Sequence, residues 1–236
     1  MLRRYKYLRV YSELSNNSYY QQNEYSLINT FYPIKSRSLK RFSTENSQKP
    51  KDIFDTKMLY TALGVQLHDN YLEKHSNNVS DYCLKLGVAL GLKGKILKEL
   101  ELAGMLHDIG KTYIPREIIN KKGKLNDQEW KIIKTHSRMS YDILSSVTEY
   151  SDLAKYALYH HERIDGKGYP EGLKGEEIPY ASRIIAVVDA YEAMTEDRPY
   201  RKALIQEEAI QELIKFSNTQ FDKQIVDIFI EKVLNK

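Results

Sequence analysis

The sequence contains a single cysteine, Cys83, among its 236 residues. One cysteine excludes an internal disulfide framework, so a reducing compartment and therefore a cytoplasmic location are expected. Cys83 lies one helical turn after Val79 and close to Leu86 in an apolar helical pattern. We therefore predict that its thiol packs in the core and has no reactive role.

Long apolar runs and a strong excess of one charge are also missing. No window approaches the roughly 18 consecutive apolar residues of a membrane-spanning helix, and no apolar signal-peptide core follows Met1. We therefore expect a protein that has no transmembrane segment and is not exported. Its 36 Lys and Arg residues barely exceed its 32 Asp and Glu residues, for a net charge of +4. This small excess argues against nucleic acid as a partner.

Residues 1–52 lack the sustained apolar period of the rest of the chain. This stretch is polar, basic and rich in tyrosine, with seven tyrosines from Tyr5 to Tyr32. We interpret it as an N-terminal extension that is poorly ordered or loosely packed and ends in a linker around Pro50. Residues 53–236 are predicted to form the folded domain.

From about residue 55 onward, apolar residues recur at helical spacing, and no run alternates with a period of two;. Helices are predicted over residues 58–67, 79–89, 94–107, 115–120, 126–136, 141–147, 151–161, 182–194, 206–216 and 221–234. Asn126 and Glu129 have the spacing of a capping box, and Asp222 is a predicted N-cap. The fold class is therefore predicted to be all-α.

Glycine and proline are scarce, with 11 and 6 residues, but they are concentrated between the helices of residues 151–161 and 182–194. Six of them fall within residues 162–180: Gly166, Gly168, Pro170, Gly172, Gly175 and Pro179. A loop of this length inside a compact domain is usually functional.

Histidine and aspartate supply the candidate functional residues. Five of the six histidines, all except His68, are predicted at or near helix ends: His75, His107, His136, His160 and His161. His107 is followed directly by Asp108, and one helical step turns the side-chain direction by only about 100°, so the pair can reach one metal ion. A set of imidazoles and carboxylates without thiolate suits iron or manganese better than a structural zinc site.

Asp189 interrupts the apolar pattern of residues 182–194. A buried carboxylate must be paired, neutralised or bound to a metal ion. Asp189 could instead face solvent or pair with Arg183 or Arg198, and any single histidine could be structural. The joint placement of five histidines around one loop favours a metal site.

Taken in their order along the chain, these motifs resemble the signature of HD-GYP domains, a branch of the HD phosphohydrolases. The matching residues are His75, His107-Asp108, Gly110-Lys111, His136, His160-His161-Glu162, Asp165-Gly166-Lys167-Gly168-Tyr169-Pro170, Asp189 and Asp197-Arg198-Pro199-Tyr200-Arg201. The similarity covers residues 55–232. It implies an all-α HD-domain helical bundle with the Gly/Pro-rich loop near its active site, and residues 53–236 as an HD-GYP catalytic domain. It also implies a metal-dependent phosphodiesterase that hydrolyses cyclic di-GMP.

The resemblance assigns roles to individual residues. One metal ion is expected on His75, His107, Asp108 and Asp189. The second is expected on His136, His160 and His161, with Asp108 bridging the two ions. A hydroxide between the ions is then the expected nucleophile. Lys111 matches a lysine that contacts the scissile phosphate, and Arg198 and Arg201 match positions that bind substrate phosphates. Tyr169 is expected either to contact substrate or only to hold the loop.

One position departs from part of the family. Some HD-GYP proteins have a glutamate one helical turn before the first histidine and bind a third metal ion, but this position is Tyr71 here. We therefore predict two divalent metal ions, with iron or manganese favoured and zinc, cobalt and nickel left open. The expected product is linear pGpG, with further hydrolysis to GMP as an alternative.

Two other functions stay open at this point. One is an HD phosphohydrolase of another nucleotide, such as cyclic GMP-AMP. The other is a non-catalytic HD-GYP module for docking or sensing, but such modules lose ligands, whereas the two-metal set is complete here. The resemblance also implies that diguanylate cyclase (GGDEF) proteins could dock on the Gly-Tyr-Pro loop.

Overall fold

The structure, a computed structural model, describes residues 70–147, 150–197 and 202–235. The expected N-terminal extension of residues 1–52 and the helix predicted over residues 58–67 lie outside these ranges. Both stay predictions.

Eight α-helices make up most of the described part of the chain. They are α1 (Asn70–Ala89), α2 (Gly94–Leu106), α3 (Arg116–Ile119), α4 (Asp127–Ser145), α5 (Ser151–Leu158), α6 (Tyr180–Thr195), α7 (Gln206–Lys215) and α8 (Lys223–Phe229). A 3-10 helix, Ile109–Tyr113, follows α2, and a π-helix, Ile230–Leu234, follows α8. Within the described ranges there is no β-strand, only two isolated bridges, which confirms the all-α class. No helix in these ranges is both long and apolar enough to cross a bilayer.

Most helices contribute an apolar face to one shared core. Fully buried members include Leu86, Leu100, Ile143, Leu153, Ile185, Leu213 and Phe229. Burial of each such side chain contributes about 1.5–3 kcal/mol. Cys83 belongs to this core, as predicted. It lies against Gly104, where a Cβ atom would meet the Cys83 Sγ at 3.0 Å, so glycine allows α1 and α2 to pack closely.

Helix α4 corrects one expectation. Residues 126–136 and 141–147 were predicted as separate helices with His136 at an end, but α4 is continuous from Asp127 to Ser145 and His136 lies in its middle. The polar residues between the two predicted segments do not interrupt the helix, because Ser137 and Ser140 are both buried and hydrogen bonded. The capping box of Asn126 and Glu129 is confirmed.

Gly110 fixes the turn after α2 against α4. Its backbone N–H donates to Ser140 Oγ at 2.9 Å. A Cβ atom at this position would overlap the carbonyl oxygen of His136 and lie 2.6 Å from Ser140 N. Only glycine allows so close an approach of two backbones. The His107-Asp108 pair is thereby held beside the middle of α4.

The Gly/Pro-rich loop is anchored at its start by a buried carboxylate. Glu162 Oε1 accepts the backbone N–H groups of Glu171 and Gly172 at 2.7 and 3.0 Å. Gly168 packs on the same segment, where a Cβ atom would lie 2.5 Å from Glu162 Cα. The loop therefore folds back on the residues that follow His160 and His161.

Candidate metal centre

Five segments of the chain deliver the candidate ligands to one place. His75 comes from α1 and Asp189 from α6, while His107 and Asp108 directly follow α2. His136 comes from the middle of α4, and the pair that follows α5 completes the set: His160 and His161. All seven metal ligands expected from the sequence are brought together.

These residues form two clusters. The first cluster is His75, His107 and Asp189, and the second is Asp108, His136, His160 and His161. Within each cluster, every residue offers one ligand atom, and these atoms all lie within 4.8 Å of one another. Both clusters have the donor set and the spacing that a divalent metal ion needs.

Asp108 lies between the clusters, with one carboxylate oxygen toward each. Its Oδ2 is 3.3 Å from His107 Nε2 and 3.7 Å from His75 Nε2. Its Oδ1 is 3.2 Å from His136 Nε2 and 3.8 Å from His160 Nε2. A carboxylate in this position can bind two ions at once, one through each oxygen.

Three of the imidazole rings are oriented by the backbone. The Nδ1–H of each donates to the carbonyl oxygen three residues earlier: His107 to Gly104 at 2.8 Å, His136 to Ile133 at 2.7 Å and His160 to Ala157 at 2.7 Å. A bond of this kind fixes the ring and leaves Nε2 as the nitrogen with the lone pair. All three Nε2 atoms lie within 3.8 Å of the Asp108 carboxylate.

Two buried polar atoms test whether a metal ion fits. His107 Nε2 and Asp108 Oδ1 are both buried, and neither has a hydrogen-bond partner. A buried polar atom without a partner costs about 1–3 kcal/mol. Coordination of a metal ion would compensate both atoms, so the residues present fit the group that the sequence predicts.

Charge is distributed unevenly over the centre. Burial lowers the pKa of His107, but the carboxylates of Asp108 and Asp189 outweigh it and raise that pKa to about 9;. Burial and the positive charge of His107 lower the pKa of His160 to about 3. Without a metal ion, His107 therefore holds a proton at neutral pH, whereas His160 is neutral.

The pKa values of the two carboxylates are lowered, in contrast to the raised pKa of His107. Burial raises the pKa of Asp108, but the positive charges of Lys111 and His107 outweigh it and hold that pKa well below its usual range. The pKa of Asp189 is likewise well below its usual range, because His107 and His75 outweigh the effect of burial. Both acids are therefore ionised at neutral pH, as metal ligands must be.

Asp189 does not pair with Arg183, one of its two alternative ion-pair partners, while the other, Arg198, lies outside the described residues. Arg183 Nη1 contacts Asp222 Oδ2 at 2.7 Å instead. Asp189 Oδ1 lies 3.3 Å from His75 Nε2 and 3.7 Å from His107 Nε2. The apolar helix therefore carries this acid toward the histidines.

The predicted substrate-binding residues have mixed outcomes. Lys111 is partly exposed and its Nζ contacts Asp108 Oδ2, so its ammonium lies at the edge of the centre. The Tyr169 ring lies over His161, with ring centroids 4.8 Å apart, and Lys134 Nζ is 5.3 Å from the Tyr169 ring. Arg198 and Arg201 lie outside the described residues, as does the side chain of Tyr71.

Sequence reasoning missed two residues beside His75. Glu192 is buried and its Oε2 contacts His75 Nδ1, while its Oε1 accepts from Asn78 Nδ2 at 3.1 Å. A signal was available, because Glu192 follows Asp189 by three positions and so shares its face of α6;.

A family model for the HD domain matches residues 62–225. The chain therefore belongs to the HD domain family, which confirms the family that the motifs predicted.

Two relatives named as cyclic dinucleotide phosphodiesterases resemble this chain over about 70% of its length. The 3'3'-cGAMP-specific phosphodiesterase 1 of Vibrio cholerae is 39% identical over 167 residues, which cover 70% of this chain and 39% of the relative. The cyclic di-GMP phosphodiesterase PA4108 of Pseudomonas aeruginosa is 39% identical over 176 residues, which cover 74% of this chain and 42% of the relative. The chain thus spans about two fifths of the length of these relatives.

A solved structure supports the fold. The cyclic GMP-AMP specific phosphodiesterase V-cGAP3 of V. cholerae superposes with a TM-score of 0.56 at 22% identity. The match covers 75% of this chain and 47% of that chain.

Proposed function

We propose that this protein is a metal-dependent phosphodiesterase that hydrolyses cyclic di-GMP to linear pGpG. The observation that carries the proposal is the position of Asp108, with one carboxylate oxygen toward each cluster. Two relatives named for cyclic dinucleotide hydrolysis, at 39% identity, support the substrate class.

Seven residues would hold two divalent metal ions. The first ion would bind His75, His107 and Asp189, the second would bind His136, His160 and His161, and Asp108 would bridge them. Iron or manganese suits these ligands best, while zinc, cobalt and nickel are also compatible. Such ions, when bound, lower the pKa of water and neutralise phosphate charge.

The chain's own residues supply orientation and charge. Backbone carbonyl groups hold three imidazole rings, so none of these three has to reorient during the reaction;. Lys111 lies beside Asp108 with a partly exposed ammonium group, where it would stabilise negative charge on the oxygens of the scissile phosphate;. The Tyr169 ring over His161 would form a wall of the substrate site.

Hydrolysis of cyclic GMP-AMP is the second candidate, because one relative is named as specific for that dinucleotide. A non-catalytic docking module is less well supported, because such modules lose ligands and all seven stand here. Phosphate binding by Arg198 and Arg201, further hydrolysis to GMP and docking of a diguanylate cyclase protein stay predictions.

The proposal is tested with the 236-residue chain, purified without oxygen and loaded with Fe²⁺ or Mn²⁺. Cyclic di-GMP and 3'3'-cGAMP are supplied separately, and products are identified by chromatography. We expect pGpG as the main product. Binding of cyclic di-GMP without product by protein that holds two metal ions would instead establish a docking module. A higher kcat/KM for 3'3'-cGAMP would establish the second candidate.

Lys111→Ala separates binding from turnover. We expect unchanged metal content and a fall in kcat of about 100-fold, because the ammonium acts on charge that develops in the transition state. Lys98→Ala, an exposed lysine on α2, is the matched control and should retain full activity. Loss of metal from Lys111→Ala would show that this lysine is structural.

A further inference from the structure

His75 differs from three other histidines of the centre in what orients its ring. His107, His136 and His160 each donate Nδ1–H to a backbone carbonyl three residues earlier. The Nδ1 of His75 instead contacts Oε2 of Glu192, a side chain on another helix, 117 positions away in the sequence. The orientation of this ring therefore depends on how α1 and α6 pack.

Glu192 is itself held in place. It is only 2% exposed, and its second oxygen, Oε1, accepts a hydrogen bond from Asn78 Nδ2 at 3.1 Å. Asn78 follows His75 by three positions, so both residues lie on the same face of α1;. The Asn78–Glu192–His75 chain thus runs from α1 to α6 and back, and both carboxylate oxygens act as acceptors.

The opposite side of the His75 ring faces the metal centre. Its Nε2 lies 3.3 Å from Asp189 Oδ1 and 3.7 Å from Asp108 Oδ2. Asp189 is one helical turn before Glu192 on α6. One face of this helix therefore presents two acids to the same imidazole, one to each nitrogen.

We propose that Glu192 is a positioning residue for the first cluster, and that Asn78 sets Glu192 in place. Glu192 accepts the Nδ1–H of His75, so that Nε2 carries the lone pair toward Asp108 and Asp189. A carboxylate that orients a metal-binding histidine changes metal affinity by about 10–100-fold. This inference rests on the metal centre of the proposed function and adds two residues that support it.

The direction of the hydrogen bonds gives a sharp test. Glu192→Gln keeps the shape of the side chain but replaces one acceptor by an amide donor. Glutamine cannot accept from both Asn78 and His75, so one of the two bonds must be lost. The second change Asn78→Asp supplies an acceptor for the new amide and leaves the glutamine oxygen for His75. The double variant has the same net charge as the unaltered protein, because Asn78→Asp restores the negative charge that Glu192→Gln removes.

The experiment measures Mn²⁺ binding to the full chain by equilibrium dialysis against a calibrated chelator. We expect Glu192→Gln to lower the affinity for one of the two Mn²⁺ ions by about 10–100-fold and to leave the affinity for the other unchanged. The double variant should recover at least about tenfold of that loss. Glu99→Gln is the matched control, because Glu99 pairs with Lys95 on its own helix, and it should bind as the unaltered protein does.

Two outcomes would overturn the inference. One is wild-type Mn²⁺ affinity in Glu192→Gln, and the other is a double variant that is no better than Glu192→Gln. If Glu192→Gln does not fold, the double variant decides alone, because it must fold and bind both ions. Unaltered protein that binds two Mn²⁺ ions without hydrolysing a cyclic dinucleotide would reject the proposed function only.

Discussion

The two clusters of the metal centre use the same ligand types but differ in charge. The first cluster contains Asp189 and adjoins one oxygen of Asp108 and the side chain of Glu192, and there the pKa of His107 rises to about 9. The second cluster sets three imidazoles against the other oxygen of Asp108, and there the pKa of His160 falls to about 3. A metal ion at the first cluster must displace protons from His75 and His107, whereas the rings of His160 and His161 at the second cluster are already neutral.

Removing the residue shared by both clusters should have the largest effect. Asp108→Ala should remove both metal ions and reduce turnover by at least about 1000-fold, because each cluster loses a carboxylate oxygen. Metal content per chain and cyclic di-GMP hydrolysis are measured together. Asp227→Ala on α8, where an exposed aspartate pairs with Lys223, is the control. Two metal ions retained by Asp108→Ala would contradict the bridging role.

Separating Asp108 from α4 should have the next largest effect. Gly110→Ala forces a Cβ atom into the His136 carbonyl oxygen, so we expect a loss of about 3 kcal/mol in the free energy of unfolding;. In thermal unfolding this corresponds to a fall in Tm of about 6–12 °C. Gly123→Ala is the matched control, because a Cβ atom there meets nothing within 4 Å. Equal Tm values for the two variants would show that the turn is not tightly packed against α4.

Lowering the pH should have the smallest effect of the three changes, but it should affect the metal affinity of the two clusters differently. A raised pKa means that His107 keeps its proton until the pH passes about 9, and only the neutral ring binds metal;. Burial lowers the pKa of His75, but Asp108, Asp189 and Glu192 outweigh it and raise that pKa well above its usual value, so this ring must also lose a proton;. The metal affinity of the first cluster should therefore fall by up to about 100-fold for each pH unit below 9. That of the second cluster should fall less steeply, because His160 and His161 are already neutral;.

Metal titrations at several pH values check this expectation. Two binding steps should separate further as the pH falls, with the weaker one moving more. Parallel weakening of both steps would mean that the clusters share their protons and that the contrast in charge is not functional.

Local patterns were sufficient for the helical class and for the two predicted caps, but not for every helix boundary. The Asp222 cap is confirmed by bonds from Gln224 N and Ile225 N, just as periodicity correctly put Cys83 in the core. The failure at residues 137–140 has a local cause as well. Two serines there interrupt the apolar pattern, but both are buried within a continuous helix. Ser140 Oγ accepts the Gly110 N–H of the facing turn, and Ser137 Oγ donates to the carbonyl oxygen of Lys134.

The sequence by itself determined the helical class, the family and the inventory of histidines and acids, because these follow from residue type and from spacing along the chain. Only the tertiary structure decided how these residues meet: which oxygen of Asp108 faces which cluster, and that Glu192 rather than a backbone carbonyl orients His75. Helical periodicity fixes which face of a helix is buried. It carries no information about which side chain of a distant helix lies opposite, since that depends on how the helices pack together.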